Sequence, residues 1–88
     1  MESNVRKHRG GFDEVSTGRR WGYFIYAADM PGSAVHVHGE LIPEGGGATV
    51  LINPRIRVST SIDEVFNNSE AFAREALAEA SAKRHAAF

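Results

Sequence analysis

The chain contains no cysteine, and that absence closes several routes at once. It can form no disulfide, no thiolate metal site and no cysteine nucleophile, which fits a reducing compartment. An excess of charge is missing too. Ten Lys and Arg stand against eleven Asp and Glu, a net charge of −1, so the simplest argument for nucleic-acid binding, a strongly basic domain, is withdrawn. No apolar run approaches the roughly 20 residues of a membrane helix. The polar N-terminus lacks the apolar stretch of a signal peptide. The expectation is a cytoplasmic protein without a membrane partner. Proline is scarce as well, 3 residues in 88, so each one is informative.

What remains is ordinary in amount, with 42% hydrophobic and 24% charged residues. The length predicts one domain, and a chain this short buries only about 60% of the surface its unfolded form exposes. Residues 1–11 (MESNVRKHRGG) hold one large apolar residue, Val5, and a basic cluster from Arg6 to Arg9. They read as a flexible basic tail, with a first strand or a partner-touching arm as the alternative. Residues 12–88 then form a single α+β domain. Phe12 to Ser16 suggests a short edge strand leading through Thr17-Gly18-Arg19 into a hairpin.

Three strands follow. Arg20 to Asp29 (RWGYFIYAAD) is rich in β-favouring aromatics and apolar on both parities, which predicts a strand touched on both faces. Ala34 to Ile42 holds the cleanest alternation in the chain. Val35, Val37 and Leu41 point one way, while Ala34, His36, His38 and Glu40 point the other. Ala48 to Thr60 is the third, and Pro54 within it predicts an edge strand or a bulge.

The end of the chain is helical in composition. Asn67 and Glu70 have capping-box spacing, and Ser69 onward is rich in Ala, Glu, Lys and Arg. Phe72, Ala73, Ala76, Leu77, Ala80 and Ala87 share one arc, so the helix presents an alanine-rich face pinned by Phe72 and Leu77. Strands first and one long helix last predict an antiparallel meander of three to four strands with that helix across one face.

One helix leaves the other sheet face open, and its side chains follow from register. A Met30-Pro31-Gly32 loop pairs Asp29 with Ser33, which sets Tyr26 opposite His36, Phe24 opposite His38, and Tyr23 opposite the bare Gly39. Trp21, Tyr23, Ile25 and Ala27 then join Val35, Val37 and Leu41 in the core. In the third strand Val50, Ile52, Ile56 and Val58 share a parity and face inward, leaving Thr49, Leu51, Asn53, Arg55 and Arg57 outside. The predicted binding face is therefore Phe24, Tyr26, His36, His38, Asn53, Arg55 and Arg57. A bulge at Pro54 would reset that last register.

His36-x-His38 puts two imidazoles on one face, a spacing metals use. With Gly32, Glu44 and Gly47 it resembles the first motif of the cupin barrels, but the spacings depart from that motif and no second one follows. Two ligands alone do not make a metal site, and no cofactor is expected. Trp21-Gly22-x-Phe24 and Phe66 before an alanine-rich helix look like the sheet-reading DNA-binding domains of plant ethylene-response factors and integrase N-termini. That likeness implies nucleic acid on the same face, although those families carry many more sheet arginines than Arg19, Arg20, Arg55 and Arg57. Phe66, Ser69, Ala71, Ala73, Ala76, Leu77 and Ala80 resemble the ends of small bacterial sheet-then-helix families of unknown function, over about a quarter of the chain. This implies the architecture and no activity.

Catalysis finds little footing. Ser59, Thr60 and Ser61 near Asp63 and Glu64 read as a strand-to-helix loop, and Gly45-Gly46-Gly47 lacks the Lys-Ser/Thr of a phosphate loop. The sequence thus points to a non-enzymatic binding domain. Its expected partner is a second copy or another protein, with nucleic acid as the alternative and a His36/His38 metal site third.

Overall fold

The computed structural model describes the backbone of residues 5–86 and the side chains of residues 5–83. Four strands, β1 (Val5–Asp13), β2 (Arg20–Met30), β3 (Ala34–Pro43) and β4 (Val50–Val58), form one antiparallel meander in the order β1-β2-β3-β4. Two helices, α1 (Ile62–Asn67) and α2 (Ser69–Ala86), follow and pack on one face.

The core lies where the alternation places it. Trp21, Tyr23, Ile25 and Ala27 of β2, Val35, Val37 and Leu41 of β3, and Val50 and Ile52 of β4 are buried against Phe72, Ala73, Ala76 and Leu77 of α2. Ala80 packs partly against them, and Ala87 lies outside the described residues. Alanine lets the helix axis come close to the sheet, so Ala73 is fully excluded from solvent.

Several details differ from the sequence reading. In place of the flexible tail expected over residues 1–11, the alternative first strand is present from Val5 onward as the nine-residue edge strand β1, which takes in Phe12 and ends at Asp13 rather than running to Ser16. Its composition hides it, because its support is tertiary. Arg6 pairs with Asp63 at 3.3 Å, His8 stacks on Phe66 with ring centroids 5.1 Å apart, and Phe12 enters the core beneath the Arg74 guanidinium.

The β2–β3 loop has the expected three residues but sits one position later, at Pro31-Gly32-Ser33, with Met30 paired to Ala34. Gly32 (φ 80°) and Ser33 (φ 57°) supply the left-handed backbone that closes it. Loop length is unchanged, so every side chain keeps its face while each partner moves by two. Tyr26 stands opposite His38, Ala28 opposite His36 and Phe24 opposite Glu40. Tyr23 therefore does not cover Gly39. It stands opposite Leu41 and lies across Gly10 of β1, where a Cβ would collide with its phenol. Gly39 is bare for another reason, since the Phe24 carbonyl occupies the space of a Cβ.

The single predicted helix is two. Ser61, not Asn67, caps the first, its Oγ accepting from the Glu64 N–H at 3.2 Å, with Asp63 and Glu64 favourably placed in the first turn. The helix is interrupted at Asn68, the C-cap of α1, and Ser69 begins α2 buried inside the protein. There its Oγ and the Tyr23 phenol share a hydrogen bond of 2.8 Å, which fixes the helix junction to the sheet.

Breaking that bond leaves one buried hydroxyl without a partner. Tyr23→Phe and Ser69→Ala are each expected to lower stability by about 1–2 kcal/mol in urea unfolding, and the double variant by less than their sum. In the β1–β2 turn, Thr17 Oγ1 donates to the Glu14 carboxylate at 2.6 Å and the Trp21 indole N–H donates at 3.2 Å. The Thr17 bond, with smaller help from Trp21, holds the Glu14 carboxyl below its ordinary range. A lowered carboxyl pKa contributes stability above the unfolded-state value and loses it as pH falls through the folded-state value. Glu14→Gln should therefore be less stable than wild type at neutral pH, with the gap closing below about pH 4. A gap independent of pH would contradict this.

Candidate functional site: the open face of the sheet

Directly opposed residues of an antiparallel ladder point to the same side, so the face away from the helices can be traced row by row. One row runs Val5, Ala28, His36, Ile56. The next runs Lys7, Tyr26, His38, and a third runs Arg9, Phe24, Glu40, Leu51. The Tyr26 and His38 rings stack at 5.0 Å and 14°, and His36 and His38 lie 5.7 Å apart between centroids. Lys7 Nζ and the Arg9 guanidinium stand 5.3 and 5.6 Å from the Phe24 ring. The Nδ1 atom of His38 is buried with no hydrogen-bond partner.

The structure brings together Phe24, Tyr26, His36 and His38 as the sequence predicts, with Tyr26 and Phe24 facing different partners. It separates Arg55 and Arg57 from them. In β4, Ile52 pairs with Gly39 and Arg55 with Val37, so His38 alone faces two residues, Asn53 and Pro54. This is a bulge, and it reverses the parity of everything after it. Arg55 turns to the helix side, 2.9 Å from the Glu79 carboxylate and 5.8 Å from the centre of the Phe72 ring. Arg57 follows onto Phe72 at 5.5 Å. Asn53 stays exposed within the bulge.

The same reversal sends Ile56 and Val58 outward, contrary to their predicted core positions. They are 56% and 72% exposed, beside Leu51 at 71%. Lys7 and Arg9, hidden in the supposed tail, were missed, and so were Met30 and Ile42. Pro54 was the signal for Ile56 and Val58, because a proline within a strand marks a bulge. Lys7 and Arg9 belong to the basic cluster from Arg6 to Arg9, for which a first strand or a partner-touching arm was the alternative, but its local pattern does not show which face each side chain takes.

Among the described residues no other region assembles a chemical site of comparable definition. A groove of about 340 Å³ between the end of β4 and the helix junction is lined by Arg57, Thr60, Glu64 and Asn68 among others. The hydroxyls beside it serve the helix start, with Thr60 Oγ1 donating to the Glu64 carboxylate at 2.8 Å and Ser61 capping α1. Among the described residues no three His, Asp or Glu side chains converge to hold a metal. Also among these residues, no helix is long and apolar enough to cross a membrane. Comparison with known proteins finds no matching family model, no similar curated protein and no similar solved structure.

Because Arg55 is part of a half-exposed ion pair on the helix side, Arg55→Ala should cost at most about 1 kcal/mol in chemical unfolding. It should leave the molecular mass in solution unchanged. A change in mass would return Arg55 to the binding face.

Proposed function

We propose that this chain is a non-enzymatic interaction domain that pairs with a second copy of itself through the open sheet face. One observation carries the reading. Among the described residues, Val5, Met30, Ile42, Leu51, Ile56 and Val58 are the exposed large aliphatics of the strands, and their ladder positions put all of them on that face. Scattered exposure needs no explanation, but a one-sided concentration does.

A second copy supplies a matching sheet. The three strands that overlap about an axis along β3, spaced about 4.8 Å apart and nine residues long, share a face of roughly 14 by 30 Å, the footprint of a small, reversible interface. A second sheet about 10 Å away also supplies a layer on the face that the two helices leave uncovered.

The pattern is self-complementary about a twofold axis running along β3. Such an axis lays β4 of one copy over β2 of the other, so Leu51 and Ile56 meet Phe24, Tyr26 and Ala28. β1 is then left at the margin, where Lys7 and Arg9 make a cationic rim, while His36, His38 and Glu40 of β3 lie on the axis with the aliphatics of β4 beside them. A cytoplasmic setting fits the cysteine-free composition. A second reading, single-stranded nucleic acid on the same face, draws on Lys7 and Arg9 beside Phe24.

Leu51→Glu combined with Ile56→Glu should raise the dimer dissociation constant about 100-fold or more in sedimentation equilibrium, without loss of circular dichroism. A wild-type chain that stays monomeric and binds a single-stranded oligonucleotide in a salt-dependent manner would favour the second reading.

A further inference from the structure

We propose that His36 and His38 of two paired copies together bind one zinc-class divalent cation at the centre of the joined faces. The inference rests on the self-association above and adds a ligand to it. One chain offers two imidazoles and no third donor among the described residues, too few for a closed site. A twofold axis along β3 stacks each His36–His38 pair on its counterpart at the same level. Two incomplete pairs then become four nitrogen donors around one point.

The spacing fits this role. With a zinc–nitrogen bond of about 2.0–2.1 Å, two imidazoles on one tetrahedral metal have ring centres roughly 5 Å apart. The observed separation is 5.7 Å, so a small rotation of either ring closes the difference. Reach fits as well. An imidazole bound through its outer nitrogen sets its metal roughly 6 Å from its own Cα, and the midplane between sheets packed about 10 Å apart lies about 5 Å from each. The buried Nδ1 of His38 has no hydrogen-bond partner, so no bond through that atom fixes the ring in its present orientation.

The surroundings also suit a neutral nitrogen site. Tyr26 stacks on His38, while Ala28 and Ile56 flank His36. Glu40 is the nearest carboxylate along β3 on this face, with Lys7 one strand beyond Tyr26. The bulge holds Arg55 and Arg57 on the opposite face, away from any cation. Four imidazoles without thiolate or a cage of oxygens select zinc, nickel, cobalt or copper over calcium or magnesium.

The test uses the intact chain, stripped with a chelator and then titrated with zinc sulfate. Calorimetry gives the stoichiometry, and light scattering after size exclusion gives the mass. The expected result is one zinc per two chains and a dimer dissociation constant lowered about tenfold or more. Both effects should disappear in the His36→Asn/His38→Asn variant, which keeps the wild-type circular dichroism. A dimer that takes up no zinc overturns the metal site and leaves self-association standing. Zinc bound one per chain without a change in mass, or bound equally by the double variant, also overturns it. A chain that stays monomeric with and without zinc overturns both readings.

Discussion

Pro54 has no N–H to give to a ladder, and β4 accommodates it by setting two residues, Asn53 and Pro54, against His38 alone. Everything distinctive about the two sheet faces depends on that extra residue. Without it Ile56 and Val58 would continue the buried row begun by Val50 and Ile52, and Arg55 and Arg57 would stand beside the histidines. With it the arginines reach α2, where Arg55 pairs with Glu79 and both lie over Phe72. The aliphatics are left facing water. An exposed Ile or Val loses the roughly 1.5–3 kcal/mol that its burial contributes, so the bulge weakens the core and leaves apolar side chains on the open face.

The rest of the fold holds that surface still. The helix side is tied at both edges of the sheet. On β1, Arg74 lies 4.7 Å from the centre of the Phe12 ring and donates to the Asp13 carbonyl at 3.0 Å. On β4 the tie is Arg55 with Glu79. Between them the Tyr23–Ser69 bond anchors the junction of the helices over Gly10. Gly39 lets β2 approach β3 closely beside the bulge, because the Phe24 carbonyl fills the place of a side chain. These contacts place hydrogen-bonded strands, rather than loops, under the histidine and aromatic rows.

Much of this was legible in the residues. The aromatic and β-branched run of β2 and the strict alternation of β3 identify both strands and their inward faces, and the alanine arc identifies the helix face. What was not legible depends on contacts distant in sequence. β1 carries charge where strands usually carry apolar residues, and it is held by Asp63, Phe66 and Arg74 from the other end of the chain. The loop register turned on which residues take left-handed backbone, Gly32 and Ser33, and not on loop length. The helix start was signalled by Ser61 with Glu64, a capping pair concealed by the stronger-looking Asn67 to Glu70. Pro54 announced a bulge, yet only the ladder shows on which side of His38 the extra residue falls.

The central claim is that two open faces meet about β3, and a cysteine-free chain allows it to be tested cleanly. A nitroxide on Lys7→Cys sits at the proposed rim, two strand spacings from the axis. Pulsed dipolar spectroscopy should then report an intermolecular distance of roughly 20–30 Å, as expected for two β1 strands on opposite sides of β3 in sheets about 10 Å apart. Absence of any intermolecular coupling, in a sample whose mass is that of one chain, would contradict the account.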